Sequence, residues 1–261
     1  MEFAEVYDIY WNQKSDPRTN NLPFMASPVL IPSILVVYLF IVLKFGPEYM
    51  KNRKPYSLKT FVKCYNIFQI IFNSYIVQQF ISAGWFTTIS IFCEIPDFSY
   101  EPSPLKISFT MWLAMMLKLI DLVETVVFVL RKKERQISFL HLYHHVSTLL
   151  IAWLMTRYIP VAMASFTLVV NCSIHVIMYT YYFVSAFGPT AQKILNPVKP
   201  LLTLMQMGQF IILILHSGQT YLPYCPITTI PATVIITNLI INFALFYDFY
   251  KTSYMYAKKR S

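Results

Sequence analysis

The sequence predicts an all-α membrane protein with seven transmembrane helices. Three observations carry that expectation. Only 13% of the 261 residues are charged, while 56% are hydrophobic and 17% aromatic; soluble domains carry about 25% charged residues. Apolar runs of about 20 residues, enough to cross a ~30 Å hydrocarbon core as helices, recur along the chain. Lysine and arginine gather in alternate connections, the pattern left by repeated crossing with the basic loops retained inside.

The spans are expected near Pro28–Phe45, Phe61–Ala83, Ile107–Leu130, Ile137–Arg157, Val161–Phe187, Pro200–Tyr221 and Thr228–Tyr250. No basic segment and cleavable apolar stretch precede the first, which reads as a retained signal anchor. Gln69, Asn73, Gln78 and Gln79 interrupt the second and suggest a face turned toward protein or a cavity. In the third, "KLIDLVET" sets Lys118, Asp121 and Glu124 three apart within a ~120° arc, and Thr125 returns to the side of Lys118. Steps of three and four place His141, His144 and His145 of the fourth on one face. The fifth, "NCSIHVIMYTYY", carries a stripe of Asn171, His175, Tyr179 and Tyr182. Thr203, Gln206 and Gln209 follow in the sixth, with His216 a heptad further, and Asn242 and Asp248 mark the seventh.

Orientation follows from charge. Lys44, Lys51, Arg53, Lys54, Lys59 and Lys63 fall on one side with Arg131, Lys132, Lys133 and Arg135, and with Lys193, Lys199, Lys251, Lys258, Lys259 and Arg260. The other side holds Lys14, Arg18, Lys106 and Arg157 against Glu2, Glu5, Asp8, Asp16, Glu94, Asp97 and Glu101. Residues 1–27 are therefore expected as an outer or lumenal tail, 28–250 as the membrane domain and 251–261 as a cytosolic tail. The net charge of +9 expresses this topology and calls for no nucleic-acid partner. Lys258 and Lys259 stand at the positions of a dilysine retrieval signal for endoplasmic-reticulum membrane proteins; the plainer reading is a basic tail after the last span. Cys64 and Cys172 read as reduced packing residues inside spans. Cys93 and Cys225 fall in two lumen-side loops and are expected to form a disulfide in an oxidising compartment.

Ionisable groups in a bilayer are costly and usually functional. At ~1.5 Å per residue, Glu124 lies ~10 Å from Arg131, His144 ~13 Å from Arg135 and Gln206 ~10 Å from Lys199; His175 lies ~18–20 Å from the end of its span. Four helices so present polar groups at similar depth, which a shared buried chamber open to the cytosol explains. Any one of these residues taken alone would be a buried polar group bonded to a neighbouring helix. Three chemistries could use the chamber. Histidines three and four apart can ligate iron or zinc; di-iron membrane enzymes use about eight histidines and this chain has five, a count that excludes the di-iron centre and leaves a single zinc open. A seven-span receptor or transporter with an intramembrane polar site shares the topology without explaining the histidine triplet. Acyl transfer with an imidazole as nucleophile or base is the third.

The motifs together resemble the very-long-chain fatty acid elongase family over nearly the whole chain. "HLYHH" fits that family's HxxHH box, "NCSIHVIMYTYY" its HVxMYxYY block, "TLMQMGQF" its TxxQxxQF block and "NFALFYDFY" the asparagine-aromatic stretch of its last span. The dilysine tail fits too. One departure is Lys118-x-x-Asp121-x-x-Glu124-Thr125 where the family has KxxExxDT, which moves each carboxylate by one methylene, ~1.5 Å. The resemblance implies a fold in which spans two to seven form two inverted three-helix units around a tunnel. It also implies decarboxylative condensation of a long-chain acyl-CoA with malonyl-CoA to 3-ketoacyl-CoA, CO2 and CoA, with no cofactor and no metal.

Under that reading His144 takes the acyl group, His175 with Asn171 holds the malonyl enolate, and His141 and His145 position or donate protons. Lys118, Asp121 and Glu124 form an ion-pair network. Arg131, Lys132 and Lys199 receive CoA phosphates, with Lys118, Tyr179, Tyr182, Thr203, Gln206 and Gln209 lining the way inward. Partners are membrane lipid, the two CoA thioesters, and a ketoacyl reductase, a dehydratase and an enoyl reductase; a homodimer is compatible with the sequence. With five glycines and no dinucleotide-binding pattern, the chain leaves those further steps to other proteins.

Overall fold

The computed structural model describes residue 5 and residues 7–255; Lys258 and Lys259 lie outside them. Among the described residues there are seven helices of 20 residues or more and no strand. They are α1 (Leu30–Met50), α2 (Lys59–Ser82), α3 (Pro102–Leu130), α4 (Phe139–Tyr158), α5 (Ala162–Ser185), α6 (Val198–Gly218) and α7 (Thr229–Tyr250). Each expected span coincides with one of them to within a few residues. Four are both long and apolar enough to cross a membrane: α1, α5, α6 and α7, the last two counted with their continuations to Tyr221 and Met255. Helices α2, α3 and α4 are as long, but glutamines, carboxylates, lysine and histidines dilute their hydropathy. Those are the residues of interest.

Residues 1–57 and 97–165 form one compact unit, 58–96 and 166–261 the other. The first therefore gathers α1, α3 and α4, and the second α2, α6, α7 and nearly all of α5.

In the first unit, Ile31, Leu35 and Val42 of α1 pack with Met115, Leu122 and Val129 of α3 and with Leu149 and Trp153 of α4. Gly46 lets α1 come close to α3. A Cβ there would meet the Ile41 carbonyl and Val129 Cγ1, each at 2.7 Å. Pro47 follows it, and the turn before it, Ile41–Phe45, widens to a π-helix. That widening answers the ring's clash with the carbonyl four residues back and its missing N–H.

The segment before α1 covers one end of this core. Arg157, 2% exposed, donates to the carbonyls of Met25 and Trp11, both at 2.7 Å, and its guanidinium lies 4.5 Å from the Trp11 ring centroid. Asp16 and Arg18 pair at 2.7 Å, fully buried, and the Asp16 amide donates to the Arg157 carbonyl. Arg157, read from the sequence as an edge charge, is thus a buried organiser. In the second unit, Cys93 after α2 and Cys225 before α7 form a disulfide with Cα atoms 5.7 Å apart. Beside it Gln219 donates to the Ile91 carbonyl. Cys64 and Cys172 are free thiols, the first exposed and the second buried.

Candidate functional site

Two sets of polar residues emerge, one in each unit. In the first unit, Ser138 caps α4 by accepting from the His141 amide at 3.2 Å, which fixes the turn that begins the histidine triplet. His141 and His145, one turn apart, have ring centroids at 4.2 Å, and His144 meets His145 edge-on at 5.9 Å. His145 is buried, whereas His141 and His144 are half-buried.

Helix α3 supplies the counterpart. Glu124 Oε2 lies 3.8 Å from His145 Nε2. Lys118 Nζ lies 3.5 Å from Asp121 Oδ2, with both side chains nearly inaccessible. The three charges expected as one network so divide in two: Lys118 pairs with Asp121, and Glu124 turns to the histidines. The glutamate side chain, one methylene longer than an aspartate, reaches toward α4. Thr125, fully buried, sets its Oγ1 2.8 Å from His141 Nε2 and 2.7 Å from the Tyr38 hydroxyl of α1. Sequence reasoning missed Tyr38; a single tyrosine in an apolar span has no periodic signal.

Glu124, His141 and His145 offer ligand atoms within 4.8 Å of one another, a spacing a divalent cation could bridge. Two histidines and one carboxylate with open positions are a ligand set used for iron and zinc; in this structure His141 Nε2 lies 2.8 Å from Thr125 Oγ1.

Arg131 and Lys132, at the end of α3, are half-buried. Lys132 donates to the Lys51 carbonyl and the Tyr56 amide to that of Leu130, tying residues 51–56 to α3. Lys132 therefore has a structural contact besides any part in binding phosphate.

In the second unit the stripe of α5 packs on aromatic rings. Tyr179, 1% exposed, meets His175 at 5.7 Å, Tyr182 at 6.0 Å and Tyr65 of α2 at 6.1 Å, all edge-on. Asn171 is half-buried, its Oδ1 lacking a hydrogen-bond partner among the described residues. Gln206 donates to Met178 Sδ, and Thr203 donates to the Lys199 carbonyl at 3.3 Å. Gln209 is buried and Lys199 exposed.

On α2, Gln69 and Asn73 are fully buried, Asn73 donating to the Gln69 side chain and Gln69 to the Tyr65 hydroxyl. Gln78 is exposed, so only the first part of that polar face turns inward. His216 stacks on Phe166 at 4.1 Å with Trp85 at 6.4 Å, and neither ring nitrogen has a hydrogen-bond partner among the described residues.

Comparison with known proteins agrees with the motifs. The model of the ELO (GNS1/SUR4) family matches residues 23–261. Very long chain fatty acid elongase 1 of Mus musculus is 40% identical over 251 residues, 94% of this chain and 88% of its own length. Very long chain fatty acid elongase 7 of Drosophila melanogaster is 34% identical over 260 residues, covering 98% and 79%. Human very long chain fatty acid elongase 4 is 33% identical over 256 residues, covering 98% and 81%. The histidine box of α4, the blocks of α5 and α6 and a family match that begins before α1 agree, and the chain belongs to the very long chain fatty acid elongase (ELO) family.

Proposed function

We propose that this protein is the condensing enzyme of fatty acid elongation, an acyltransferase joining a long-chain acyl-CoA to malonyl-CoA. The observation that carries the reading is the triplet His141, His144 and His145, held against Glu124 and Thr125 on helices that are otherwise largely apolar. In the first step His144 attacks the acyl thioester, forming an acyl-imidazole and releasing CoA. Malonyl-CoA then loses CO2, and the resulting enolate carbon attacks the acyl carbonyl. The new C–C bond gives 3-ketoacyl-CoA and frees the imidazole.

His175 and Asn171 stabilise the enolate oxygen, while His141 and His145 supply and accept protons. Exclusion of water protects the acyl-imidazole from hydrolysis. Arg131, Lys132 and Lys199 meet the CoA phosphates, and Tyr179, Tyr182, Thr203, Gln206 and Gln209 line the approach. No metal or cofactor enters this chemistry.

The setting we propose is the endoplasmic-reticulum membrane, crossed seven times, with residues 1–27 lumenal and 251–261 cytosolic; spans two to seven form the inverted arrangement common to the family. The Cys93–Cys225 disulfide and the basic connections support that orientation. A ketoacyl reductase, a dehydratase and an enoyl reductase complete the cycle.

The test is incorporation of labelled malonyl-CoA by the purified protein with a panel of acyl-CoAs. Condensation is expected, and His144→Ala should lower it by at least about 100-fold. Wild-type activity in that variant, or none in the parent with any acyl-CoA, would reject the assignment.

A further inference from the structure

Tyr38 sits 8 residues from one end of α1 and 12 from the other, ~12 Å and ~18 Å along the axis. Tyrosines that anchor a helix at a membrane interface lie near its ends; this one does not. It is 5% exposed, so its hydroxyl is in a place where an unbonded polar group costs free energy. That hydroxyl lies 2.7 Å from Thr125 Oγ1, and the same oxygen lies 2.8 Å from His141 Nε2. Three side chains from three helices thus make one continuous hydrogen-bonded chain that ends on a ring of the histidine cluster. The close approach of α1 to α3 at Gly46 holds the first link in reach.

We propose that Tyr38 is a positioning residue for the histidine cluster, acting through Thr125 to fix the orientation and tautomer of His141. The inference rests on the condensing function proposed above. A phenol is the better donor of the two hydroxyls, so the chain runs from Tyr38 O–H to Thr125 Oγ1 and from Thr125 O–H to Nε2 of His141. Accepting at Nε2 leaves the imidazole proton on Nδ1. A ring with Nδ1–H can donate from that side, the role given to His141 in the reaction. Breaking the chain frees the ring to turn and to exchange tautomers, which lowers the fraction of enzyme ready to react without touching either substrate.

The experiment uses the full-length protein in lipid nanodiscs, with activity read from labelled malonyl-CoA incorporation and the rings from the spectrum of 15N-histidine-labelled protein. Tyr38→Phe keeps the ring and removes the donor. It should lower kcat about tenfold while both KM values stay within about twofold, and it should shift the ring-nitrogen signals of His141. Thr125→Val should give the same changes, the double variant should be no worse than Thr125→Val alone, and Thr125→Ser should restore the His141 signals. An unaltered kcat with unaltered signals in Tyr38→Phe would overturn the proposal, and so would additive losses in the double variant. If the parent protein does not condense, the function is wrong, and the His141 signals alone then decide for or against the hydrogen-bonded chain.

Discussion

The His141–His145 cluster of one unit and His216 of the other bury imidazoles in opposite ways. In the α1–α3–α4 unit two rings of the cluster have polar neighbours from α3: His141 has Thr125 and His145 has Glu124. In the other unit His216 is held by Phe166 and Trp85, with neither nitrogen hydrogen-bonded among the described residues. Hydrogen bonds fix a ring's rotation and tautomer, whereas stacking fixes only its plane. The first arrangement suits proton transfer and nucleophilic attack; the second is the packing of a flat side chain among aromatics. Burial alone therefore does not distinguish a reactive histidine, but the chemistry of its neighbours does.

The contrast can be broken at its charges first. Lys118→Met removes the cation beside Asp121, which is 2% exposed. Removing one partner of a buried pair costs about 3–5 kcal/mol, so this variant should show the largest loss of thermal stability in detergent. A midpoint equal to that of the parent would mean that Asp121 is not charged.

The ends of the units provide a second contrast. Arg157 closes one by hydrogen bonds, while a disulfide spanning 132 residues closes part of the other. Replacing both Cys93 and Cys225 by serine should cost about 2–4 kcal/mol. Full stability after reduction would show that the bond adds nothing to the fold.

The smallest effects sharpen the contrast most. His141→Leu strands the Thr125 hydroxyl on one side and should cost about 1–3 kcal/mol. His216→Leu strands nothing and should stay within about 1 kcal/mol of the parent, in either direction. Equal losses in the two variants would erase the distinction between the units.

Much of this was legible in the sequence. All seven long helices follow from apolar runs, and the common face of His141, His144 and His145 follows from their spacing. The pairing of Cys93 with Cys225 was expected from the two loops in which they lie. What periodicity does not encode is which helix lies against which. Glu124 was expected with Lys118, its own helix neighbour, but its longer side chain reaches His145 across to α4. Tyr38 reads as one more residue of an apolar span until α3 is set beside it. Arg157 reads as a loop charge, yet the segment preceding α1 folds over it and supplies carbonyls from Trp11 and Met25. The grouping of α2 with α5, α6 and α7, where Tyr65 meets Tyr179 of α5, likewise depends on contacts far apart in sequence.

The central claim is that an imidazole of α4 carries the acyl chain. Incubation of the purified protein with a long-chain acyl-CoA and no malonyl-CoA, followed by rapid acid quench and intact and peptide mass measurement, tests it directly. The account predicts one acyl group added per chain, mapped to His144, with release of one CoA and loss of the adduct on addition of malonyl-CoA. An unmodified protein that nevertheless condenses once malonyl-CoA is present, or an adduct on Cys64 or Cys172, would contradict it.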